Sequence, residues 1–521
     1  MSFPCAGFYE RAPSAVAYVP SVGNRRLLIA VLLVGCAARF VTVPRDFDYR
    51  SLASWREADY LSVARYFDRE GLDPFHPRIA WRGDTPGYAE MEFPILPWLA
   101  GLLYRVFGEH VQILRALSAI AGALGLLAFA RLAYRVVPAP GALLATAAFA
   151  ANPLLVAFSG AMQPDPLMLL FTILAMDDLW RWLDGGRDSR LLAAGGWAGA
   201  AILAKAFAAY LGVVFAYLVV RKRGISALRG PAVWLAAALA LLPAVAWYAW
   251  AHHFYTTAGL TLGVSNERHA ISWALLRAPL RPLVGNLKVE GFDVFVALGI
   301  PLAGCALLLP WIRIEPAVAW YLGTVVAYVL AADTSGDEWA MYYHFVSVPP
   351  VCLLAGFGLA GLLDRARVAP PLLGALLRSG GIALGVLLVA YASYRSDRLG
   401  YWRDALQTRE EAFYRCAREL APFVPPEGVL VVRGDAQRDE HGHSTAWNEP
   451  LAFAWLDRKG FNYPVEEYSV AKLGEIAARG GRYWLAQPPD LENAGIRAEV
   501  EQRFRVLARC DGYALYDLAA R

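Results

Sequence analysis

Charge is scarce in this chain. Only 18% of its 521 residues are Asp, Glu, Lys or Arg, where an ordinary soluble domain carries about a quarter. The net charge of +4 is small and by itself says nothing about nucleic acid, which is not among the expected partners; the basic residues matter by position. Cysteine is scarce too. There are six, and no Cys-x-x-Cys pair, which argues against a zinc ribbon or a thioredoxin-like centre. There is no Walker-type glycine loop and no Gly-x-Ser-x-Gly elbow. The first apolar run begins at Leu27 and no small-residue cleavage site follows it, so no cleavable signal peptide is expected.

What the chain has in place of charge is apolar length: 57% of it is hydrophobic. Predominantly apolar runs at 27–43, 111–135, 141–158, 166–182, 191–204, 207–220, 232–251, 292–311, 317–332, 343–363 and 373–394 predict about eleven membrane spans, with the break near Lys205 the least regular. The run 93–107, with Pro94 and Pro97, reads as an interfacial or re-entrant helix. Arginine and lysine gather at one set of span ends: Arg25 and Arg26, Arg131 and Arg135, Arg181, Arg187 and Arg190, 221–223, Arg313, Arg365 and Arg367. Short basic loops are cytoplasmic. The N-terminus is then expected on the cytoplasmic side of a bacterial inner membrane, and residues 395–521 on its outer side. That last part changes composition. Amphipathic stretches at 408–420 and 469–479 alternate with β-like runs at 429–433, 482–486 and 503–518, a small soluble α/β domain beside a membrane domain of residues 1–394. Cys416 and Cys510 are the pair available there for a disulfide in an oxidising compartment.

Against this background the first outer loop, 45–110, stands out. Glu57, Asp59, Asp68, Glu70, Asp73, Asp84, Glu90 and Glu92 all fall within residues 55–98. Within it, Tyr60, Val63, Ala64 and Phe67 recur at helical spacing, so 54–69 reads as a helix. Glu57 and Asp59 are two apart and face different ways on it. Elsewhere on the outer side lie Asp165 in the turn GAMQPDP, the lone Lys205 among apolar residues, and Tyr342, Tyr343 and His344 at the start of a span. An isolated lysine in such a place is costly and marks function. Asp46-Phe-Asp48 and His441-Gly-His443 are weak metal signals. No cofactor is required by this reading; a divalent metal is compatible with it but not expected.

The stretches WREADYLSVARYF, GYAEMEFPILPWLAGLLYRVFGEH, LRALSAIAG, AMQPDPLMLLF, LAKAF and MYYHFVSVPPVCLLAGFGL together resemble the GT-C glycosyltransferases. The likeness is greatest to the protein mannosyltransferase and lipid A aminoarabinose transferase group, families 39 and 83. It covers most of the membrane part. It implies a polytopic helical membrane fold and transfer of a sugar from a polyprenyl-phosphate donor, with inversion, to an acceptor hydroxyl on a glycolipid, envelope glycan or protein. It implies Asp59 as the base, Glu57 as the neighbouring alternative, Asp165 as the second acidic residue, and Tyr343, then Tyr342, near the donor phosphate. Glu90, Glu92 and His344 are further candidates, for the substrate loop. One departure stands out. Relatives often have Lys-Pro-Pro-Leu where this chain has Glu92-Phe-Pro-Ile, so Lys205, Arg56, Arg268 or Lys288 must supply the phosphate cation. Rival readings are an O-antigen-type polymerase or ligase, and a transporter or lipid flippase.

Overall fold

The computed structural model describes residues 22–48, 54–264, 280–331, 335–336, 338–398, 411–438 and 447–519. Arg268, His441 and His443 lie outside the described residues. Helix α1 (Val22–Phe40) leads into the acidic loop, which holds α2 (Ser54–Glu70) and α3 (Ile95–Phe107). Then come α4 (Val111–Val136), α5 (Ala139–Ala151), α6 (Pro153–Ser159), α7 (Asp165–Leu183), α8 (Asp188–Ala204), α9 (Leu211–Arg223) and α10 (Pro231–Ala258). Helices α11 (Leu280–Val289), α12 (Gly299–Cys305), α13 (Trp311–Leu330), α14 (Val348–Val368) and α15 (Pro371–Arg398) complete the bundle.

Every expected span is helical, whole or in pieces. Among the described residues, however, four helices are long and apolar enough to cross a bilayer, and six if each of two bent pairs is one span. The count of about eleven is therefore not reached on length and composition. Charge is one reason: α7 carries Asp165, Asp177, Asp178 and Arg181. Breaks are another. The chain bends by 47° between α5 and α6, where the side chain of Asn152 caps α6 by accepting from the amides of Leu154 and Leu155. A bend of 85° separates residues 283–294 from 299–308, and Val296 and Ala297 between them take positive φ. Small residues let the helices close up. A Cβ on Gly141 would stand 2.1 Å from the carbonyl oxygen of Gly356, so α5 and α14 cross backbone to backbone.

The C-terminal part contains α16 (Ala412–Leu420), β1 (Leu430–Arg433), α17 (Pro450–Leu456), β2 (Gly460–Tyr463), α18 (Val470–Ala478), β3 (Tyr483–Ala486), α19 (Ala494–Arg503), β4 (Arg505–Cys510) and β5 (Tyr513–Asp517). The sheet order is β2-β1-β3-β5-β4. Strand β1 is parallel to β2 and β3, while β5 is antiparallel to β3 and β4. The expected runs became β1, β3 and the β4–β5 hairpin; β2, α17 and α19 were not expected. Cys416 and Cys510 form a disulfide that ties α16 to β4.

This part does not hang free. One apolar core runs from the acidic loop (Phe47, Leu61, Phe67, Trp81, Met91) through Phe413, Leu451 and Trp455 to Leu430 and Leu515 of the sheet. Polar contacts reinforce it. Arg65 donates to the carbonyl of Ala454 at 2.7 Å and Trp55 to that of Asn448 at 2.8 Å. The result is that α2, a helix of the outer loop, is buried along most of its length.

Candidate active site

The site is built on α2. Asp59 is fully buried there, and its Oδ1 accepts from the indole Nε1–H of Trp81 at 2.8 Å. Its Oδ2 has no hydrogen-bond partner among the described residues. Trp81 is pinned from the C-terminal sheet: the Gly460 amide donates to the carbonyl of Ala80 at 3.0 Å, and the Gly83 amide donates to that of Gly460 at 2.8 Å. Burial pushes the Asp59 carboxyl up to about 7. The Trp81 hydrogen bond and the nearby Arg56 charge oppose that rise, while Glu449 and Glu92 add to it.

Arg56 lies one turn back on the same face as Asp59 and Tyr60. Its guanidinium donates to the carbonyl of Leu262, sits 5.2 Å from the Trp55 ring and interacts with the Tyr342 hydroxyl. Its principal charge partner is Glu92, whose Oε2 accepts from the Tyr60 hydroxyl at 3.1 Å. The segment that carries Glu92 is held by backbone. The Glu90 amide donates to the carbonyl of Leu260 at 2.9 Å, and the Phe93 amide to that of Leu203, at the end of α8, at 2.9 Å. Glu90 itself turns aside, accepting from Thr261 at 2.7 Å and standing 3.0 Å from His252.

The bond to Leu203 brings Glu92 to the break in α8. Lys205 ends that helix in an extended conformation. Its Nζ donates to Asp165 Oδ1 at 2.6 Å and stands 4.2 Å and 4.4 Å from the rings of Tyr342 and Tyr343. Those rings stack at 5.1 Å. Asp165 opens α7, where the helix N-terminus favours a carboxylate. Glu92 and Arg56 both act electrostatically on the Lys205–Asp165 pair.

The structure thus gathers Arg56, Asp59, Glu92, Asp165, Lys205, Tyr342 and Tyr343 into one buried cluster. Other expected residues go elsewhere. Glu57 faces away from Asp59 and takes Arg115 and the Met162 amide, each at 3.0 Å. His344 is buried against Glu290, 2.6 Å from its Oε1, in a pocket with Ser347 and Tyr321 rather than against Asp59. Lys288 is exposed on α11 near Asp293. Asp46 accepts from Gln112 at 2.7 Å and Asp48 pairs with Arg45 at 3.6 Å, so the two carboxylates of that triplet serve different partners. Among the described residues, one trio of potential metal ligands comes close together, Cys416, Cys510 and Asp511, and its two cysteines are the disulfide. Trp81, Tyr60 and Glu449 were not foreseen. Trp81 and Tyr60 lie in the acidic stretch, but nothing in their spacing ties them to Asp59 or Glu92.

Residues 85–250 match the family model for dolichyl-phosphate-mannose-protein mannosyltransferase. No curated protein sequence matches the chain. Among solved structures, ArnT from Cupriavidus metallidurans bound to undecaprenyl phosphate is similar at a TM-score of 0.62 and 17% identity, over 96% of this chain and 99% of that one. An Archaeoglobus fulgidus oligosaccharyltransferase tethered with an acceptor peptide is similar at 0.55 and 12% identity, over 95% and 74%. The arabinofuranosyltransferase AftD from Mycobacteria is similar at 0.52 and 13% identity, over 97% and 40%.

Proposed function

The chain has the GT-C fold of these glycosyltransferases, and we propose from it that this is a membrane enzyme moving a monosaccharide from a polyprenyl phosphate to an acceptor hydroxyl. The observation that carries the reading is Asp59, a buried carboxylate with one oxygen fixed by Trp81 and the other without a hydrogen-bond partner among the described residues. In the proposed step Asp59 takes the acceptor hydroxyl proton. The acceptor oxygen attacks the anomeric carbon from the side opposite the phosphate. The carbon–oxygen bond to the phosphate breaks, polyprenyl phosphate leaves with the electron pair, and the anomeric configuration inverts.

Arg56 and Lys205 are the cations that would meet the leaving phosphate, with the Tyr342 and Tyr343 hydroxyls as further donors. Each cation is already matched by a carboxylate, Glu92 or Asp165, so an incoming phosphate competes for them. The acceptor then enters from the side covered by the C-terminal sheet. An outer-face site with a cytoplasmic N-terminus is supported by the basic span ends and by a disulfide suited to an oxidising compartment. The transporter reading called for paired halves, which this fold does not require.

The test is purified protein offered undecaprenyl-phosphate-linked mannose, arabinofuranose and aminoarabinose, together with mass spectrometry of envelope lipids and glycans from a deletion strain. Release of undecaprenyl phosphate with loss of one sugar from a cellular glycan supports the proposal. An unchanged glycan profile and no consumption of any lipid donor would sink it.

A further inference from the structure

Two elements bring the carboxylates of the site together, α2 with Asp59 and the 160–164 turn that ends in Asp165. They touch through a buried clamp that the proposed reaction does not use. Arg115 on α4 is fully buried, as is Glu57 on α2. The Arg115 guanidinium donates to Glu57 Oε1 at 3.0 Å and to the carbonyl of Gly160 at 3.1 Å. The same Glu57 oxygen accepts from the Met162 amide at 3.0 Å. One turn along α4, Ser118 donates to the carbonyl of Gln163 at 3.3 Å. The turn is thereby held at Gly160, Met162 and Gln163, three of the five backbone positions leading into Asp165.

We infer that Glu57 and Arg115 are positioning residues that set the Asp59 helix in register with the Asp165 turn. The inference rests on the proposed transferase reading. An ion pair this deeply buried is a poor source of stability, since removing both charges from water costs about as much as their attraction returns. What it supplies is direction. A charged oxygen that accepts from both a fixed guanidinium and a fixed amide has one place to sit, and a guanidinium is a planar fork with fixed donor directions. Asp59 lies two residues from Glu57 on the other side of the helix. A rotation of α2 that loosened the clamp would swing Asp59 relative to Asp165, Lys205 and the tyrosines, and so relative to the anomeric carbon. Misplacing a catalytic group by about 1 Å costs on the order of 100-fold in rate.

Two double variants separate positioning from mere stability. Glu57→Leu with Arg115→Leu leaves no buried charge unpaired and removes the clamp. Glu57→Gln with Arg115→Met is also neutral but keeps an acceptor for the Met162 amide. With the undecaprenyl-phosphate sugar that the wild type consumes, kcat of the first should fall on the order of 100-fold. The second should fall about tenfold, as part of the clamp survives. The affinity of each for undecaprenyl phosphate alone should stay within about threefold of wild type, because the cations of the donor side are untouched. Hydrogen exchange at residues 160–165 should rise in step with the loss of kcat. Wild-type kcat in a folded first variant overturns the inference. If that variant does not fold, the second decides, and wild-type turnover there overturns it equally. Should the wild type consume no lipid-linked sugar, the failure lies with the transferase reading. Exchange then judges the clamp: unchanged protection at 160–165 in the folded variants shows that it does not hold the turn.

Discussion

Lys205 Nζ and Asp165 Oδ1 are 2.6 Å apart, and both side chains are almost wholly buried. The sequence marks each residue singly, one as a cation for the donor phosphate and one as a second acid. The structure makes them a pair, with Tyr342 and Tyr343 packed against the ammonium group. Losing one partner of a buried pair strands the other charge and costs roughly 3–5 kcal/mol. Lys205→Met alone should therefore melt well below wild type. Lys205→Met with Asp165→Asn should recover most of the melting temperature. If Lys205 also serves the phosphate, the recovered double variant should bind undecaprenyl phosphate at least about tenfold more weakly, since a charge-assisted hydrogen bond contributes about 1.5–3 kcal/mol. Wild-type affinity in that variant would restrict Lys205 to holding Asp165.

The raised pKa of Asp59 has a kinetic sign. A base must be ionised, so kcat/KM should climb with pH through about 7 and level off above it. The Trp81 hydrogen bond stabilises the charged form and holds the pKa down. Trp81→Phe removes that donor, and the rising limb should shift to higher pH. A profile that does not move would show that Trp81 does not tune the base.

The same shift has a thermodynamic sign. Between the ordinary carboxylate range and about 7, folded Asp59 keeps a proton that the unfolded chain has released. Stability must then fall as pH rises across that window, with the penalty complete above the folded pKa. Asp59→Asn removes this dependence, because an amide does not titrate. It should melt at or above the wild-type temperature at pH 8 while transfer drops roughly 10²–10⁴-fold. Equal losses of transfer and of melting temperature would mean that Asp59 serves the fold, not the reaction.

Much of this site was legible, and the reasons differ by residue. Helical spacing placed 54–69 on one helix and set Glu57 and Asp59 on different sides of it. The break at Lys205 was visible as a charge inside an apolar run. Pairings were not legible, because the partners lie far apart in sequence. Glu57 meets Arg115 across 58 residues, and Lys205 meets Asp165 across 40. Counting arginines by side also hid their partners. Arg131, Arg135 and Arg181 converge on the buried Asp177 at 2.7, 2.6 and 3.1 Å, while Arg221 and Lys222 both reach Glu315 at 2.9 Å. Asp177 sits inside the run 166–182 read as apolar, and Glu315 in the short gap between the runs 292–311 and 317–332. Strand β2 is four residues, Gly-Phe-Asn-Tyr, too short for its alternation to signal it, yet it is the strand that fixes Trp81.

Glu92 gives the last prediction, because it stands where the resemblance leads one to expect a lysine. It is the leading charge partner of Arg56 and also acts on Lys205 and Asp165. With Asp59 ionised, two cations here face three carboxylates, and an anionic donor enters against that balance. Glu92→Gln keeps an acceptor for the Tyr60 hydroxyl and removes one negative charge. Arg56 is then free to meet a phosphate without a competing carboxylate. Undecaprenyl phosphate should bind several-fold more tightly, with the gain shrinking as salt rises only if the site is open to water. Release of that product should slow correspondingly, so kcat falls or holds while KM falls. The Asp59 limb of the pH profile should also move down, because Glu92 is one of the charges that raises it. Weaker binding of undecaprenyl phosphate by Glu92→Gln would instead mean that Glu92 holds Arg56 in place for the phosphate, and the competition described here would be wrong.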